Sequence, residues 1–212
     1  MLDIKFKTAK KSELELVRNF VYENFHDKEP IERSHIDKKY KMKPDENFLL
    51  DCLEDETSFM AFDGDKLIAV LLAGKIFSDL AERNFECSKK MKSKKTADIL
   101  KFLSFVDAKA DYCNRFKVSC CLHVHIINVH PNYHRQGIAR QLFELCIEIG
   151  RQKQFPVITM DCTNFFTSKI AEKFEFSLVS SVTYEEYNNH VGDQSFIANE
   201  PHTEIKSYAK IL

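Results

Sequence analysis

The first part of the chain alternates apolar and polar residues with two different periods. Ile4 and Phe6 alternate with lysines, which predicts a short edge strand over Asp3–Thr8. Apolar residues at helical spacing begin at Leu14, and Ser12 is the predicted N-cap of that helix. The chain therefore opens with a strand followed by an amphipathic helix.

The next segments predict a loop, a short helix and a hairpin. Phe25–His35 is polar and contains a proline, so we expect a loop there, whereas Pro44–Leu53 predicts a short helix. Two apolar runs, Thr57–Phe62 and Lys66–Phe77, flank a turn that contains Asp-Gly, which is a strong hairpin signal. Helical spacing of apolar residues then predicts one long helix over Ala97–Phe116.

Strands and helices alternate in the second half of the chain. The predicted strands are Val118–Val129, Pro156–Met160, Phe176–Thr183 and Thr203–Ile211, and the predicted helices are Gly137–Gln152 and Thr163–Phe174. A single helix between two strands implies parallel neighbours, whereas hairpins imply antiparallel ones. The expected fold class is α/β (an α+β mixed sheet), with about seven strands, helices on both faces and a single domain over residues 1–212.

Charge and hydropathy exclude several classes of protein. The 212 residues include 31 Lys and Arg and 32 Asp and Glu, and the resulting net charge of −1 argues against a nucleic-acid partner. The longest apolar run, Leu67–Ala73, is too short to cross a bilayer, and Met1–Lys11 lacks the apolar stretch of a signal peptide. We therefore expect a cytoplasmic protein without membrane contact, as a monomer or a weak dimer.

The seven cysteines include no Cys-x-x-Cys pair, and their spacing does not fit a zinc site. We expect reduced, mostly buried thiols and no metal ion. Nothing in the sequence gives Cys162 the activating base of a nucleophile, so we interpret it as a packing residue.

The segment Val129–Arg140 carries the clearest chemical signal. A strand ends at Pro131, a tight turn follows, and an amphipathic helix begins at Gly137. The first N–H groups of a helix lack intrahelical partners and lie at its positive end, so they can bind an anion. Because Gly137 has no Cβ, a diphosphate could approach the backbone there. The pattern equally fits a plain helix start, and a dinucleotide-binding Gly-x-Gly-x-x-Gly motif is absent.

The residues Val129-His130-Pro131 and His134-x-x-Gly137-x-Ala139 resemble the motif of the GNAT superfamily of acyl-CoA-dependent N-acyltransferases. In that family, a strand ending in Val-x-Pro precedes Gln/Arg-x-x-Gly-x-Gly/Ala, so His134 stands where Gln or Arg is usual. The resemblance implies a splayed sheet and an acetyl-CoA diphosphate held mostly by backbone amides. The implied cofactor contacts are Ile127, Val129, His134, Arg135, Gln136, Gly137, Ile138, Ala139, Arg140, Asn164 and Thr167.

Three separated segments are similar to the insect-type arylalkylamine (dopamine) N-acetyltransferases. Phe25–Ile31 looks like their Glu-Pro-Leu motif, and Glu29 falls on the catalytic glutamate of that motif. Thr163 and Thr167 occupy the places of two active-site serines four residues apart, with the hydroxyl groups kept and methyl groups added. His202, in the terminal Pro-His segment, corresponds to a histidine near the active site. The resemblance therefore implies catalytic roles for these four residues.

His123 and His125 resemble the two strand histidines that relay a proton through water in the vertebrate arylalkylamine enzymes. Residues at positions i and i+2 point to the same face of a strand, so the two rings can act together. Two histidines on a solvated face, or bonded within the core, would give the same sequence pattern. Metal binding by the pair lacks an obvious third ligand.

Acetyl transfer to an amine requires a proton acceptor. An alkylamine has a pKa near the lysine value of about 10.4, so roughly one molecule in 2,500 is neutral at pH 7, a cost of about 4.6 kcal/mol. A buried carboxylate and a histidine are both suitable acceptors. Glu29 and the pair His123 and His125 therefore remain alternatives.

The developing oxyanion and the departing thiolate each need a hydrogen-bond donor. The Val129 amide, near the splay of the sheet, is the expected donor to the oxyanion. Thr163 and Thr167 are the first candidates to protonate or bind the thiolate, and Tyr184 and Tyr187 are weaker ones. No covalent intermediate on the enzyme is required.

The acceptor class follows from the resemblance and from aromatic residues near the site. Phe25, Phe165 and Phe166 flank the proposed site residues, where they either hold an aryl ring or belong to the core. The leading interpretation is direct transfer from acetyl-CoA to the primary amine of a small arylalkylamine in a ternary complex. The alternatives are a protein, peptide or polyamine N-acetyltransferase of the same fold, and an acyl-CoA-binding module without turnover.

Overall fold

The computed structural model describes residues 4–212 and, within that range, every side chain except that of Asp27. Over this range the chain forms a mixed sheet of seven strands in the spatial order β1-β2-β3-β4-β5-β7-β6. The strands are β1 (Ile4–Thr8), β2 (Phe59–Asp63), β3 (Lys66–Ile76), β4 (Cys121–Val129), β5 (Val157–Cys162), β6 (Ser177–Thr183) and β7 (Glu204–Ile211). The predicted mixed sheet is confirmed, and Asp3, the predicted start of the first strand, lies outside the described residues.

Helices cover both faces of the sheet. Within the described range they are α1 (Leu14–Asn24), α2 (Pro30–Ser34), α3 (Glu46–Glu54), α4 (Leu80–Lys90), α5 (Lys94–Ala110), α6 (Tyr112–Phe116), α7 (Ile138–Gln152), α8 (Phe165–Lys173) and α9 (Tyr184–Val191). One core cluster joins α7 and α8 to the sheet, and a second joins α1 and α3 to its other face. No helix within residues 4–212 combines the length and the apolar composition that a bilayer crossing requires.

The predicted loop over Phe25–His35 is wrong. The segment contains a 3-10 turn over His26–Lys28 and then α2. Pro30 occupies the first position of α2, where its missing N–H has no intrahelical partner to lose. Glu29 caps the helix, because its side chain accepts a hydrogen bond from the N–H of Glu32. The proline that suggested a loop therefore starts a helix.

Two further predictions need correction, and two helices were not predicted. The long helix over Ala97–Phe116 is divided into α5 and α6, because Asp111 adopts a left-handed conformation with φ +42°. Apolar periodicity does not reveal α4 or α9, since both are short and largely polar. Ser12 lies inside a 3-10 turn over Lys11–Glu13, and Glu13 takes the N-cap position of α1.

β4 and β5 separate close to the candidate residues. They are the parallel pair of the sheet, and their ladder runs from Leu122 to Val124 on β4. On the β3 side, Ile126 pairs with Leu72 and Val124 pairs with Ala73, so His125 is the extra residue of a β-bulge. Beyond the ladder the two strands diverge, which is the open, splayed sheet that the resemblance implies.

Candidate functional site

Glu29 is buried at the start of α2, with 5% of its surface exposed. Its Oε2 accepts a hydrogen bond of 3.0 Å from the N–H of Glu32. Its Oε1 accepts one of 2.5 Å from the hydroxyl of Thr163, which follows β5 directly. This second bond joins the segment after α1 to the end of β5, where the sheet opens.

The environment of Glu29 favours its protonated form. Burial raises the pKa of Glu29 from 4.5 to about 7, because the carboxylate loses its hydration. The hydrogen bonds from Thr163 and from the N–H of Glu32 oppose this rise, whereas the carboxylate of Glu32 adds to it. A carboxyl group with a pKa of about 7 can both accept and release a proton near neutral pH.

The start of α8 brings together four of the residues that the resemblance marks. Asn164 is the N-cap, and its Oδ1 accepts a hydrogen bond of 2.8 Å from the first turn. Thr163 directly precedes this cap, and Thr167 lies in the first turn. Nδ1 of His202 accepts a hydrogen bond of 3.1 Å from the N–H of Phe165. The terminal segment is thereby held against the same end of α8 that contacts Glu29.

His123 and His125 lie side by side on β4, with ring centroids 4.7 Å apart. Nδ1 of His123 is 2.9 Å from Oγ1 of Thr159, and its Nε2 is 3.6 Å from Oδ2 of Asp161. His125 packs edge-on against Phe48 at 5.1 Å between centroids. Burial lowers the pKa of His123 to about 3 and lowers the pKa of His125 as well. Both rings are therefore neutral at pH 7 and are weak proton acceptors.

A buried carboxyl pair beside these histidines has no signal in the sequence analysis. Oδ1 of Asp161 accepts hydrogen bonds from the hydroxyl groups of Tyr112, at 2.8 Å, and Ser207, at 2.5 Å. Asp161 also bonds to Asp107, and burial together with this neighbouring carboxylate raises the pKa of Asp107 well above its usual range. The four residues come from β5, α6, β7 and α5, so no local motif could have revealed the pair.

The turn between β4 and α7 leads into the first turn of a 15-residue helix. Gly137 is the N-cap of α7 with φ +79°, and a Cβ there would meet no atom of the described residues within 4 Å. Glycine is thus favoured by the left-handed backbone rather than by crowding within the protein. Arg135 and Gln136 are exposed, and Nε2 of His134 lies 2.8 Å from the carbonyl oxygen of Val129.

The next predicted cofactor residues differ in what they can offer. The side chain of Ile138 is buried in the core, so its backbone N–H is the group that a ligand could reach. Ala139 is half-buried. Arg140 is exposed, and its Nε lies 2.9 Å from Oε1 of Glu144. In the first turn of α7, the backbone N–H groups are therefore more accessible to a ligand than the apolar side chains are.

The N–H groups of Ile127 and Val129 point into the gap between β4 and β5. The N–H of His130 donates to the carbonyl of Ile68 on the β3 side, at 2.8 Å. Alternate residues of a strand direct their N–H groups to opposite neighbours, so those of Ile127 and Val129 point away from β3. They lie along the open edge of β4, where an extended ligand could bind.

The aromatic candidates divide between the surface and the core. Phe165 and Phe166 are exposed at the start of α8, whereas Phe25 is half-buried. Tyr187 stacks on Phe102 at 4.1 Å within a buried aromatic cluster. Tyr184 is also buried, and burial and the nearby Glu29 both raise the pKa of its hydroxyl.

Cys162 is buried at the end of β5, and burial raises the pKa of its thiol. The thiol is therefore protonated at neutral pH and is a poor nucleophile. Its surroundings agree with a packing role.

Comparison with protein families adds to this geometry. Residues 18–174 match the acetyltransferase (GNAT) family, and the match includes Glu29, Thr163, the β4–β5 splay and the Gly137 turn. This chain belongs to the GNAT family. The GNAT resemblance is therefore confirmed at the level of the family, and GNAT enzymes use acetyl-CoA as the acetyl donor. No curated protein matches the chain.

Solved GNAT structures match this chain along its whole length. A mosquito arylalkylamine N-acetyltransferase-like 5b is 30% identical over 99% of this chain and 100% of its own, with a TM-score of 0.91. A Drosophila melanogaster polyamine N-acetyltransferase, which catalyses the formation of N-acetylagmatine, is 25% identical over 99% and 100%, with a TM-score of 0.90. Arylalkylamine N-acetyltransferase 2 from Aedes aegypti shares the fold, with 22% identity over 99% of each chain and a TM-score of 0.88.

Proposed function

We propose that this GNAT enzyme acetylates the primary amine of a small arylalkylamine, with Glu29 as the proton acceptor. The contact between Glu29 and Thr163 carries the proposal, because it places a buried carboxylate at the splay of β4 and β5. Similarity to the mosquito arylalkylamine N-acetyltransferase-like 5b, at 30% identity, supports this acceptor class. We also propose that residues 1–212 act as one domain, since that neighbour matches 99% of the chain.

The groups around the Gly137 turn fit the donor substrate. Acetyl-CoA supplies the acetyl group, and its thiol is the leaving group. We assign its diphosphate to the backbone amides of residues 134–140, at the positive end of α7. The N–H groups of Ile127 and Val129 lie along the open edge of β4, and in this proposal the Val129 amide donates to the acetyl carbonyl oxygen. Asn164 and Thr167 complete the proposed donor site from α8.

Proton affinity favours Glu29 over the histidine pair as the base. Moving a proton from an amine of pKa about 10.4 to Glu29 costs about 5 kcal/mol, whereas moving it to His123 costs about 10 kcal/mol. Glu29 is therefore the stronger acceptor by several orders of magnitude. In this proposal His123 and His125 shape the acceptor side of the cleft as neutral rings.

The hydroxyl groups of the two threonines have separate roles in this proposal. Thr163 donates to Glu29 and keeps the carboxylate in place. Thr167, in the first turn of α8, is then the candidate donor to the departing thiolate. His202 holds the start of α8 through the N–H of Phe165.

A polyamine acceptor is the second candidate, and one observation favours it. The carboxyl pair Asp107 and Asp161 is bonded to neutral donors, and Asp161 lies two residues before Thr163. A second cationic group on the acceptor would complement this pair. The Drosophila polyamine N-acetyltransferase, at 25% identity over the same length, fits this alternative.

Thiol release from acetyl-CoA with a panel of amines tests the proposed acceptor class. The panel contains tyramine, serotonin, agmatine, spermidine and a peptide with a free N-terminus. We expect kcat/KM for the arylalkylamines to exceed that for agmatine by about tenfold or more, a difference of about 1.4 kcal/mol in transition-state binding. The reverse order would favour the polyamine alternative. If none of the amines in the panel produced thiol release, the acyl-CoA-binding module without turnover would be the remaining interpretation.

A further inference from the structure

Three buried polar residues are spaced three apart around the proposed base. His26, Glu29 and Glu32 are 7%, 5% and 5% exposed, respectively. His26 begins the 3-10 turn, Glu29 is the extended residue between that turn and α2, and Glu32 lies in the first turn of α2. Charged or ionisable groups are rarely buried this deeply unless they are paired.

Hydrogen bonds connect the three residues in series. Nδ1 of His26 contacts Oε1 of Glu32, and the N–H of Glu32 donates to Oε2 of Glu29. The backbone of Glu32 thus supports Glu29, while its carboxylate is a second negative charge beside Glu29. A carboxylate oxygen can only accept, so we assign the proton of this contact to Nδ1 of His26.

Packing alone does not explain a histidine at position 26. Its Nε2 is buried and makes no hydrogen bond to the described part of the chain. Leaving a buried ring nitrogen without a partner costs free energy, which an apolar side chain of similar size would avoid. The contact with Glu32 is what the imidazole provides and what an apolar residue could not.

We propose that His26 is a positioning residue that fixes the Glu32 carboxylate and screens its charge, so that Glu29 can ionise beside it. The proposal rests on the proposed function of Glu29 as the base. Without His26, the full charge of Glu32 would act on Glu29 and would hold it in the protonated form. His26 would then act on the reaction through Glu32, without touching the substrate.

The other groups facing Glu29 do not replace this screening. Among the described side chains, Thr163 donates to Glu29 from the end of β5, and the phenol of Tyr184 lies nearby on α9. Asp161, two residues before Thr163, is an acid bonded to neutral hydroxyl groups. His26 is therefore the basic side chain of this set.

A carbon-13 NMR titration of glutamate carboxyl groups in the free protein tests the proposal. Glu29→Gln assigns the Glu29 signal. We expect Glu32→Gln to lower the Glu29 midpoint by about 1 pH unit and His26→Leu to raise it by about 1 pH unit. In the double variant His26→Leu/Glu32→Gln, the midpoint should equal that of Glu32→Gln alone. His26→Asn keeps an N–H donor near the Nδ1 position and should restore the wild-type midpoint.

Several outcomes would overturn the positioning role. These are an unchanged Glu29 midpoint in His26→Leu, an equal shift in the Glu32→Gln background, or no recovery in His26→Asn. Should His26→Leu not fold, an unchanged midpoint in Glu32→Gln would by itself contradict the proposal. Thiol release by Glu29→Gln is measured separately: full activity there refutes Glu29 as the base, whereas the titration judges His26 and Glu32 without any substrate.

Discussion

Glu29 is held in a place where its charge opposes folding. Burial raises its pKa from 4.5 to about 7, so the folded protein binds the Glu29 proton more tightly than the unfolded chain does. Below about pH 4.5, Glu29 is protonated in both the folded and the unfolded state, so its ionisation does not reduce the free energy of unfolding. Between about pH 4.5 and pH 7 the unfolded chain releases this proton while the folded protein keeps it, so stability falls by about 3 kcal/mol in total, and the loss is complete above about pH 7.

Replacing Glu29 with Gln should therefore stabilise the protein at alkaline pH. The variant keeps an acceptor oxygen for Thr163 but has no charge to bury. We expect its Tm to exceed that of the wild type by about 5 °C at pH 8.5, and the gain to vanish near pH 4. Differential scanning fluorimetry at both pH values measures this. The exposed Glu23→Gln on α1 is the control, and a gain for Glu29→Gln of equal size at both pH values would contradict the charge argument.

Thr163 should tune Glu29 through its hydroxyl group. The hydrogen bond of 2.5 Å stabilises the ionised carboxylate and lowers its pKa. Thr163→Val keeps the shape but removes the donor, so the rising limb of the rate with pH should move up by about 1 unit. Thr163→Ser retains the donor and should leave the limb in place. A valine variant with an unshifted limb would show that this hydrogen bond does not set the charge of Glu29.

At the scale of elements, a short sequence signal predicts the structure well only when it is typical of one kind of structure. The Asp-Gly turn predicts the β2–β3 hairpin, and Gly64 there has φ +57°. The proline at position 30 has two meanings, a break or a helix start, and only the fold shows that Glu29 caps a helix. For that reason the helix that positions the proposed base could not be predicted from composition.

The turn before α7 allows a test of the donor site with a matched control. Gly137 and Gly192 both have positive φ, +79° and +69°, and a Cβ on either would meet no described atom within 4 Å. Alanine at either position should destabilise the fold by about 1 kcal/mol through backbone strain. Only Gly137→Ala distorts the proposed diphosphate turn, so only that variant should weaken acetyl-CoA binding, by about tenfold, or 1.4 kcal/mol.

Isothermal titration with acetyl-CoA, alongside thermal unfolding, measures both effects. Gly192 is the C-cap of α9 and lies outside the proposed donor site. The variant Gly192→Ala therefore measures the effect of backbone strain alone. Equal affinities for acetyl-CoA in the two variants would mean that the Gly137 turn does not hold the diphosphate.

At the scale of the whole molecule, alternation and helical spacing predict the mixed sheet of about seven strands with helices on both faces, and the family resemblance implies that the sheet is splayed. The carboxyl pair Asp107 and Asp161 could not be predicted in this way, because its partners come from separate elements and meet only in the folded sheet. The same holds for the contact of Glu29 with Thr163, which bridges 134 positions in the sequence. The family resemblance marked both residues, but only the fold shows that they touch.

The central claim of the proposed mechanism is that Glu29, held between α2 and the end of β5, takes the proton from the acceptor amine. The most direct measurement is the pH dependence of kcat for wild type and Glu29→Gln, with acetyl-CoA and a saturating acceptor amine. We predict a wild-type rate that rises through about pH 7, and a variant that is about 100-fold slower or worse and lacks this limb. A Glu29→Gln variant with the wild-type rate and the same limb would contradict the account.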